Sequence, residues 1–268
     1  MTTTDAWRTL KNGTDGVVLA VDYPFTGRPE AGFSDLAPLL DTEYALWESV
    51  PPGDGAGGAA RDYLDHWYTA AAADGRPVRA VMGFCAGSVY AAALAERLAA
   101  ERGEAPRIVL FDPEFPDAIT VYWQFHKVID GLAVVLRPDE VTAAQQAGRR
   151  VSEKTDDLRL LRERLLEVFR EAAATAFDRA GLDAVRREEF TATVTAFMSY
   201  LVAAAGIDAR DGWPAATAIS SATPTNGLNL LPEERRAGRV AREIRFDLAH
   251  ADLLRTAEVG KTVADLIR

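Results

Sequence analysis

The sequence predicts an α/β fold in which a mostly parallel sheet is flanked by helices and interrupted by a long helical insertion. Short apolar runs alternate with amphipathic stretches from residue 16 to residue 112. The alternation stops between residues 118 and 214, and it then resumes to the end of the chain. Strands that alternate with helices form parallel sheets, because each parallel connection needs a crossover of a dozen or more residues.

The first half contains short apolar segments that are typical of buried strands, with helical segments between them. Strands are predicted over 16–21, 44–50, 78–83 and 107–111, and helices over 34–40, 59–73 and 89–102. Pro24, Pro51 and Pro113 follow three of the strands, and proline cannot continue a central strand because it lacks the N–H donor.

The block from residue 118 to 214 is predicted to be helical. Leucine, phenylalanine and alanine recur at helical spacing between residues 158 and 176, and Gly181 ends this amphipathic helix. Two more strands and a closing helix are predicted over 216–222, 240–248 and 257–268. We therefore predict an α/β core formed by residues 1–117 and 215–268, with residues 118–214 inserted as a helical lid.

Composition restricts the class of protein. Lys and Arg number 30 against 40 Asp and Glu, for a formal charge of -10, so a general nucleic-acid binder is not expected. No basic, apolar leader and no apolar run of about 18 residues is present, so we expect neither a signal peptide nor a membrane partner.

The single cysteine can form no internal disulfide, which favours a reducing, cytoplasmic setting. The scattered histidines predict no metal site, and no phosphate-binding loop is found.

A tight, glycine-flanked turn lies between the third predicted strand and its helix. It reads Gly83-Phe84-Cys85-Ala86-Gly87, the pattern Gly-x-Cys-x-Gly. Small residues two positions away on each side allow the chain to fold back sharply at a strained nucleophile. The start of the following helix favours a thiolate at Cys85, and the backbone N–H of Ala86 would face a substrate carbonyl oxygen. We therefore predict that Cys85 is a nucleophile, in preference to a buried filler.

A cysteine nucleophile needs a base and an acid that orients the base. Of the three histidines, His250 follows the last predicted strand, whereas His66 and His126 lie in segments where packing explains them. Asp112 directly ends the fourth predicted strand, at the carboxyl edge of the sheet where ligands bind in open α/β folds. Asp112 is the predicted acid, and Glu114 and Asp247 are its rivals.

With Cys85, Asp112 and His250 in that order, the chain resembles the α/β-hydrolase thioesterases that release chains from nonribosomal peptide and polyketide synthases. The acid follows the nucleophile after only one helix and one strand, and a helical block is inserted after that strand. The resemblance implies the α/β-hydrolase fold and an acyl or peptidyl carrier protein as partner. It also implies that the substrate arrives on the partner's phosphopantetheine arm and that the enzyme has no cofactor of its own.

The loop Tyr23-Pro24-Phe25-Thr26-Gly27 looks like the family's early loop, in which a backbone N–H completes the oxyanion hole. The resemblance gives this role to Phe25 or Thr26. Carrier proteins are usually acidic, so docking on an acidic chain needs a local basic patch. The candidate residues for this patch are Arg149, Arg150, Arg235, Arg236, Arg239 and Arg242. The plainer interpretation of these arginines is a solvated charged face.

Two departures from the family pattern affect the predicted reaction. Most members have serine where this chain has Cys85, and the minority with cysteine are often associated with ring closure or transfer to an amine. The early loop also lacks a Gly-Gly pair. Release by hydrolysis, by cyclisation or by transfer to an amine or hydroxyl therefore stays open. The alternatives are a small-molecule ester or lactone hydrolase resembling dienelactone hydrolases, an acyltransferase, and a non-catalytic pseudo-hydrolase.

Overall fold

The structure is a computed structural model that describes residues 5–23, 28–53, 58–103, 105–208 and 213–268. The strands in these ranges are β1 (Trp7–Lys11), β2 (Val17–Val21), β3 (Ala45–Ser49), β4 (Val78–Phe84), β5 (Arg107–Phe111), β6 (Thr217–Ser220) and β7 (Arg242–Arg245). The α-helices there are α1 (Phe33–Leu36), α2 (Ala60–Asp74), α3 (Gly87–Arg102), α4 (Ala118–Gly131), α5 (Pro138–Ser152), α6 (Leu158–Ala180), α7 (Ala184–Ala205), α8 (Glu233–Arg236) and α9 (Ala257–Ile267).

The seven strands form one sheet in the order β1-β3-β2-β4-β5-β6-β7. β1 pairs antiparallel with β3, and every other neighbouring pair is parallel. This mostly parallel sheet, flanked by helices, confirms the predicted fold class. β2 is buried along its whole length, as expected for a strand in the middle of a parallel sheet that is covered on both faces.

The differences from the predicted elements lie mainly at the sheet edges. The sequence does not predict β1, because this edge strand carries Arg8, Thr9 and Lys11 in place of an apolar run. The strand predicted over 240–248 is reduced to the four residues of β7, at the opposite edge. The helix predicted over 34–40 divides into α1 and a 3-10 turn at Ala37–Leu39, where Pro38 cannot donate the next helical hydrogen bond.

The contacts divide the chain into two compact units, Met1–Phe115 with Gly206–Arg268, and Pro116–Ala205. The first unit contains the sheet. A hydrophobic core cluster joins strand residues to α1 and α9 and includes Val18, Phe33, Met82, Phe111, Ile219 and Val263. Burial of such side chains is the main favourable contribution to folding, so the strand ends are held on a rigid base.

The second unit consists of α4 to α7. Leu161, Leu165 and Phe169 of α6 are buried, in agreement with the helical periodicity of the sequence. Gly181 follows α6 with a φ of 66°, the left-handed conformation expected of a helix-ending glycine. That this unit acts as a lid stays a prediction. Within the described ranges, no helix combines the length and the apolar character needed to cross a membrane.

Candidate active site

Cys85 lies at a sharp turn between β4 and α3. Its φ is 50°, a left-handed conformation that non-glycine residues rarely adopt. The Cys85 N–H donates to the carbonyl of Phe111 at 2.9 Å, and the Cys85 carbonyl accepts from the N–H of Ser88 at 3.1 Å. Both backbone groups of Cys85 are thus fixed, while its side chain is half-buried.

Gly83 makes this turn sterically possible. A Cβ atom at Gly83 would lie 2.6 Å from the Ser88 Cα and 2.8 Å from the Gly87 carbonyl oxygen, closer than real Cβ atoms approach. The Ser88 hydroxyl donates to the Gly83 carbonyl at 3.1 Å. The start of α3 therefore folds directly back over the end of β4, as the Gly-x-Cys-x-Gly spacing predicts. Ala86, the proposed oxyanion donor, is the buried N-cap residue of α3.

Asp112 lies beside Cys85, because β4 and β5 are neighbouring parallel strands with Phe84 opposite Phe111. Its side chain is fully buried, and both carboxylate oxygens are used. Oδ2 is 2.7 Å from Nδ1 of His250, and Oδ1 accepts from the N–H of Ser221 at 2.8 Å. An ionised carboxylate can only accept, so Nδ1 carries the proton and Nε2 is left as the basic nitrogen.

His250 is held by two further contacts. Its backbone N–H donates to the Thr223 hydroxyl at 2.9 Å. Its imidazole ring stacks on the ring of Phe84 with the centroids 4.8 Å apart and the planes at 13°. The side chain is 9% exposed, which leaves part of the ring accessible. Together with the Asp112 hydrogen bond, these contacts restrict both the position and the tilt of the imidazole, the predicted base.

Backbone strain is concentrated at the predicted site. Among the described residues, the non-glycine residues with positive φ are Cys85 at 50° and Asp112 at 39°. Each such conformation costs on the order of 1–3 kcal/mol and persists where the surrounding structure imposes it, most often at functional sites. Both residues are predicted from the sequence on other grounds, namely their positions at strand ends.

Glu114, which the sequence offers as a rival for the acid, contacts Cys85 in the structure. Its Oε2 is 3.6 Å from the Sγ of Cys85, and its N–H donates to the Cys85 carbonyl at 3.4 Å. The two carboxylates after β5 are therefore divided between two partners, Asp112 contacting the imidazole and Glu114 the thiol. Asp247, the other rival for the acid, is exposed.

An ion pair lies just after the end of β2. Arg28 forms a salt bridge with Asp22, and its guanidinium lies 5.4 Å from the centroid of the Phe84 ring. Burial is the largest single effect and lowers the pKa of Arg28, but the carboxylates of Asp22, Glu30 and Glu48 together outweigh it and the pKa is raised. The guanidinium is therefore a fixed positive charge beside the Phe84 ring, on which the His250 imidazole stacks.

The remaining predicted residues are placed as follows. Phe25 and Thr26, the proposed second oxyanion donors, lie outside the described residues. His66 is in α2, where Nε2 is 3.1 Å from the carbonyl of Asp5. His126 is in α4, within the helical unit, where Nδ1 is 3.4 Å from Asp130. Neither contact involves Cys85 or Asp112.

Several residues that support the site carry little or no signal in the sequence. Ser221 and Thr223 hold Asp112 and His250 through one hydrogen bond each, and nothing in their local sequence indicates this. Gly227 packs against the backbone of Asp112. The dipeptide Asn226-Gly227 is a recognisable turn signal, but the sequence does not show which residue the turn approaches.

No protein-family profile matches the sequence, and a comparison with curated proteins finds no significant match. Solved structures do match. A Vlm2 thioesterase domain bound with a dodecadepsipeptide has a TM-score of 0.55 and 17% identity, over 98% of both chains. The NocB thioesterase domain, in covalent complex with a fluorophosphonate nocardicin G analog, has a TM-score of 0.55 and 14% identity, over 97% of this chain and 99% of that one.

A third similar structure is a four-domain nonribosomal peptide synthetase bound to AMP and glycine. Its TM-score is 0.58 at 15% identity, and the match covers 98% of this chain and 20% of that chain. These likenesses, with the sheet order and the sharp turn at Cys85 after β4, establish the fold. The chain has the α/β-hydrolase fold of thioesterase domains.

Proposed function

We propose that this chain is a thioesterase that releases an acyl or peptidyl chain from a carrier protein through a Cys85-His250-Asp112 triad. The observation that carries the proposal is the 2.7 Å hydrogen bond between Asp112 and His250, formed beside a strained cysteine at a strand-to-helix turn. Acyl transfer by a cysteine requires a base that a carboxylate orients, and the Asp112–His250 hydrogen bond supplies such an oriented imidazole. The fold likeness to thioesterase domains supports the same class of reaction.

In the first step, the Cys85 sulfur attacks the carbonyl carbon of the thioester on the phosphopantetheine arm. His250 takes the thiol proton at Nε2 and returns it to the departing phosphopantetheine sulfur, while Asp112 stabilises the imidazolium. One carbon–sulfur bond forms and one breaks. The backbone N–H of Ala86 stabilises the oxyanion, and loss of one such donor typically costs on the order of 10²-fold in rate.

In the second step, an acceptor attacks the acyl group on Cys85. Exchange of one thioester for another is close to neutral in free energy, so the acyl group remains activated. A thioester reacts more readily with amines than an oxygen ester does. The acceptor is accordingly water, or an internal or external amine or hydroxyl, and sulfur at the nucleophile favours the amine relative to a serine enzyme.

The proposal is tested by measuring the intact mass of the protein after incubation with acyl thioesters. Because Cys85 is the single cysteine, the Cys85→Ala variant contains no thiol and is a matched control. We expect a mass increase of one acyl group in the wild-type protein and none in the variant. Product release at the wild-type rate by the Cys85→Ala variant would exclude the nucleophile, and absence of acylation and turnover would favour the pseudo-hydrolase.

The carrier-protein partner is tested separately. The same acyl group is presented on a carrier protein, on free phosphopantetheine and as a simple ester, and kcat/KM is compared. A clear preference for the carrier-bound form supports the partner. Equal or better activity on simple esters or lactones would favour the small-molecule hydrolase.

Docking of the carrier protein is tested by charge reversal in the basic segment 235–242, at the exposed residues Arg235 and Arg242. If this basic segment binds an acidic carrier, reversing both charges to Glu raises KM for the carrier-bound substrate at low salt and leaves KM for free phosphopantetheine thioesters unchanged. An equal effect on both substrates would contradict docking at this segment.

A further inference from the structure

We propose that Glu114 holds the Cys85 side chain as a neutral thiol in the free enzyme, so that the nucleophile is deprotonated only when a substrate carbonyl is in place. The assignment rests on the proposed function, because it treats Cys85 as the nucleophile of that reaction. It gives a role to a carboxylate that the triad does not use.

The geometry of the contact carries the proposal. Oε2 of Glu114 is 3.6 Å from Sγ of Cys85, a distance at which a thiol donates to a carboxylate oxygen. The backbone N–H of Glu114 donates to the carbonyl of Cys85 at 3.4 Å. Glu114 also follows Asp112 and Pro113, and the proline limits backbone freedom between the two carboxylates. Glu114 is therefore hydrogen-bonded to Cys85 through both its backbone N–H and its side chain.

The charge of Glu114 determines where the proton lies. A carboxylic acid is a much stronger acid than a thiol, so a proton shared by this pair lies on sulfur. A carboxylate beside sulfur disfavours the thiolate, because it places two negative charges close together. This effect opposes the start of α3, which favours the thiolate.

Other charged groups lie after neighbouring strands of the sheet. The Asp112–His250 pair lies after β5 and β7, and the Asp22–Arg28 pair lies after β2. Tyr23, next to Asp22, has a raised pKa, first because it is buried and second because Tyr63 is near, and it is neutral at physiological pH. A substitution at Glu114 leaves all of these groups in place, so its effect on the thiol can be isolated.

The mechanistic consequence concerns the order of events. In the free enzyme, Cys85 is a weak nucleophile and a poor target for alkylating agents and oxidants, because the thiolate is the reactive form. When a thioester carbonyl approaches, the sulfur–carbon bond forms and the proton passes from Sγ to His250. Glu114 keeps its charge throughout and neither gains nor loses a proton.

The test is the pH dependence of Cys85 alkylation by iodoacetamide in the full chain without substrate. The wild-type protein is compared with the Glu114→Gln and Glu114→Asp variants. The Gln variant removes the charge with little change of shape, and the Asp variant withdraws it by one methylene. Glu171→Gln, at an exposed position of α6, is the control for the change in net charge. Thermal unfolding of each variant checks that it is folded.

We expect the midpoint of the alkylation profile to fall in the order wild type, Glu114→Asp, Glu114→Gln. A fall of about one pKa unit corresponds to roughly tenfold faster alkylation of the Gln variant at pH 7. The Glu171→Gln profile should equal that of the wild type. An unchanged or raised midpoint in Glu114→Gln would overturn the proposal. If the Gln variant does not fold, an Asp midpoint at or above the wild-type value would do so.

Failure of this inference is distinguishable from failure of the proposed function. The alkylation assay uses no acyl substrate, and formation of acyl-Cys85 from a thioester uses no alkylating agent. A shifted profile without acyl-enzyme leaves Glu114 as a thiol-restraining residue and excludes the thioesterase. Acyl-enzyme formation with an unshifted profile keeps the thioesterase and excludes this role of Glu114.

Discussion

Gly227 lies so close to Asp112 that a Cβ atom at Gly227 would be 2.6 Å from the Asp112 Cα. Its φ of 58° is itself in the left-handed region. Glycine is therefore required at this position both for its own conformation and for the backbone of the buried acid. Since Asp112 contacts His250 through a 2.7 Å hydrogen bond, a displaced Asp112 also displaces the imidazole that we propose as the base.

A Gly227→Ala variant should therefore lose activity as well as stability. We expect acylation of Cys85 to slow by on the order of 10²-fold, because small misplacements of catalytic groups have effects of this size. Gly238→Ala is the matched control, since Gly238 also has a positive φ of 76° but a Cβ there would meet nothing within 4 Å.

The control should lose only about 1–2 kcal/mol in the free energy of unfolding, the cost of a left-handed alanine. Its acylation rate should remain that of the wild type. Acylation rates are followed by intact mass and stability by urea unfolding. Equal acylation rates in the two variants would show that contact with Asp112 is not what Gly227 contributes.

Replacement of Asp112 by Asn should remove most of the activity while preserving the fold. The amide can still accept the Ser221 N–H through oxygen, but its NH₂ group then faces Nδ1 of His250 and stabilises the wrong tautomer. In serine triads this change lowers kcat by about 10⁴, and we expect a loss on the order of 10³–10⁴ in Cys85 acylation.

The control for this change is Asp247→Asn, at the exposed carboxylate that the sequence offers as a rival acid. This variant should acylate at the wild-type rate. A large loss in Asp247→Asn together with a small one in Asp112→Asn would reverse the assignment of the acid.

The Cys85→Ser variant tests what sulfur contributes to the second step. The oxygen ester that it forms is less reactive toward amines than the thioester. With a substrate that offers an internal amine, the ratio of amide product to free acid should therefore fall in the variant, in addition to any change in overall rate. Products are quantified by liquid chromatography with mass detection. Free acid as the single product of the wild-type protein would exclude amine transfer altogether.

Glu48 provides a stability test that is independent of the active site. This β3 carboxylate is buried and paired with Arg8, and burial raises its pKa more than Asp22 does, against the opposing effect of Arg8. A raised pKa in the folded state means that the associated stability is fully present below the ordinary pKa of 4.5 and is lost as pH rises through the folded-state pKa.

A Glu48→Gln variant is neutral at every pH and does not lose this stability. The free energy of unfolding of the wild type, minus that of the variant, should therefore increase as pH falls from 7 toward 4.5. Urea unfolding at several pH values gives this difference, with Glu171→Gln as the exposed control. A difference that is flat, or that decreases as pH falls, would contradict the burial effect.

Most of the sheet can be read from the sequence because its inner strands are buried on both faces. β2 is a continuous apolar run, and β4 and β5 are apolar except for the exposed Arg79 and Arg107; alternation with helices predicts the parallel pairing of the three strands. The edge strands carry a weaker signal. β1 is partly exposed and charged, and it pairs with β3 through contacts far apart in sequence that no local pattern reveals.

The residues of the candidate site also differ in how well the sequence predicts them. Cys85 and Asp112 are predictable because each follows a central strand directly, and neighbouring parallel strands end at the same edge of a sheet. Glu114 is ambiguous in the sequence, where two carboxylates follow one strand. The choice between them depends on the direction of each side chain, and the left-handed backbone at Asp112 sets this direction.

The sequence by itself determined the alternating α/β order, the glycine-flanked turn at Cys85, and the chemical types of three residues that suit acyl transfer. These depend on local spacing and on residues next to each other in the chain. The tertiary structure alone decided that Asp112 contacts His250, that Glu114 contacts Cys85, and that Gly227 must be glycine. Each of these contacts brings together side chains or backbones that follow different strands. Such approaches are set by the packing of the whole sheet.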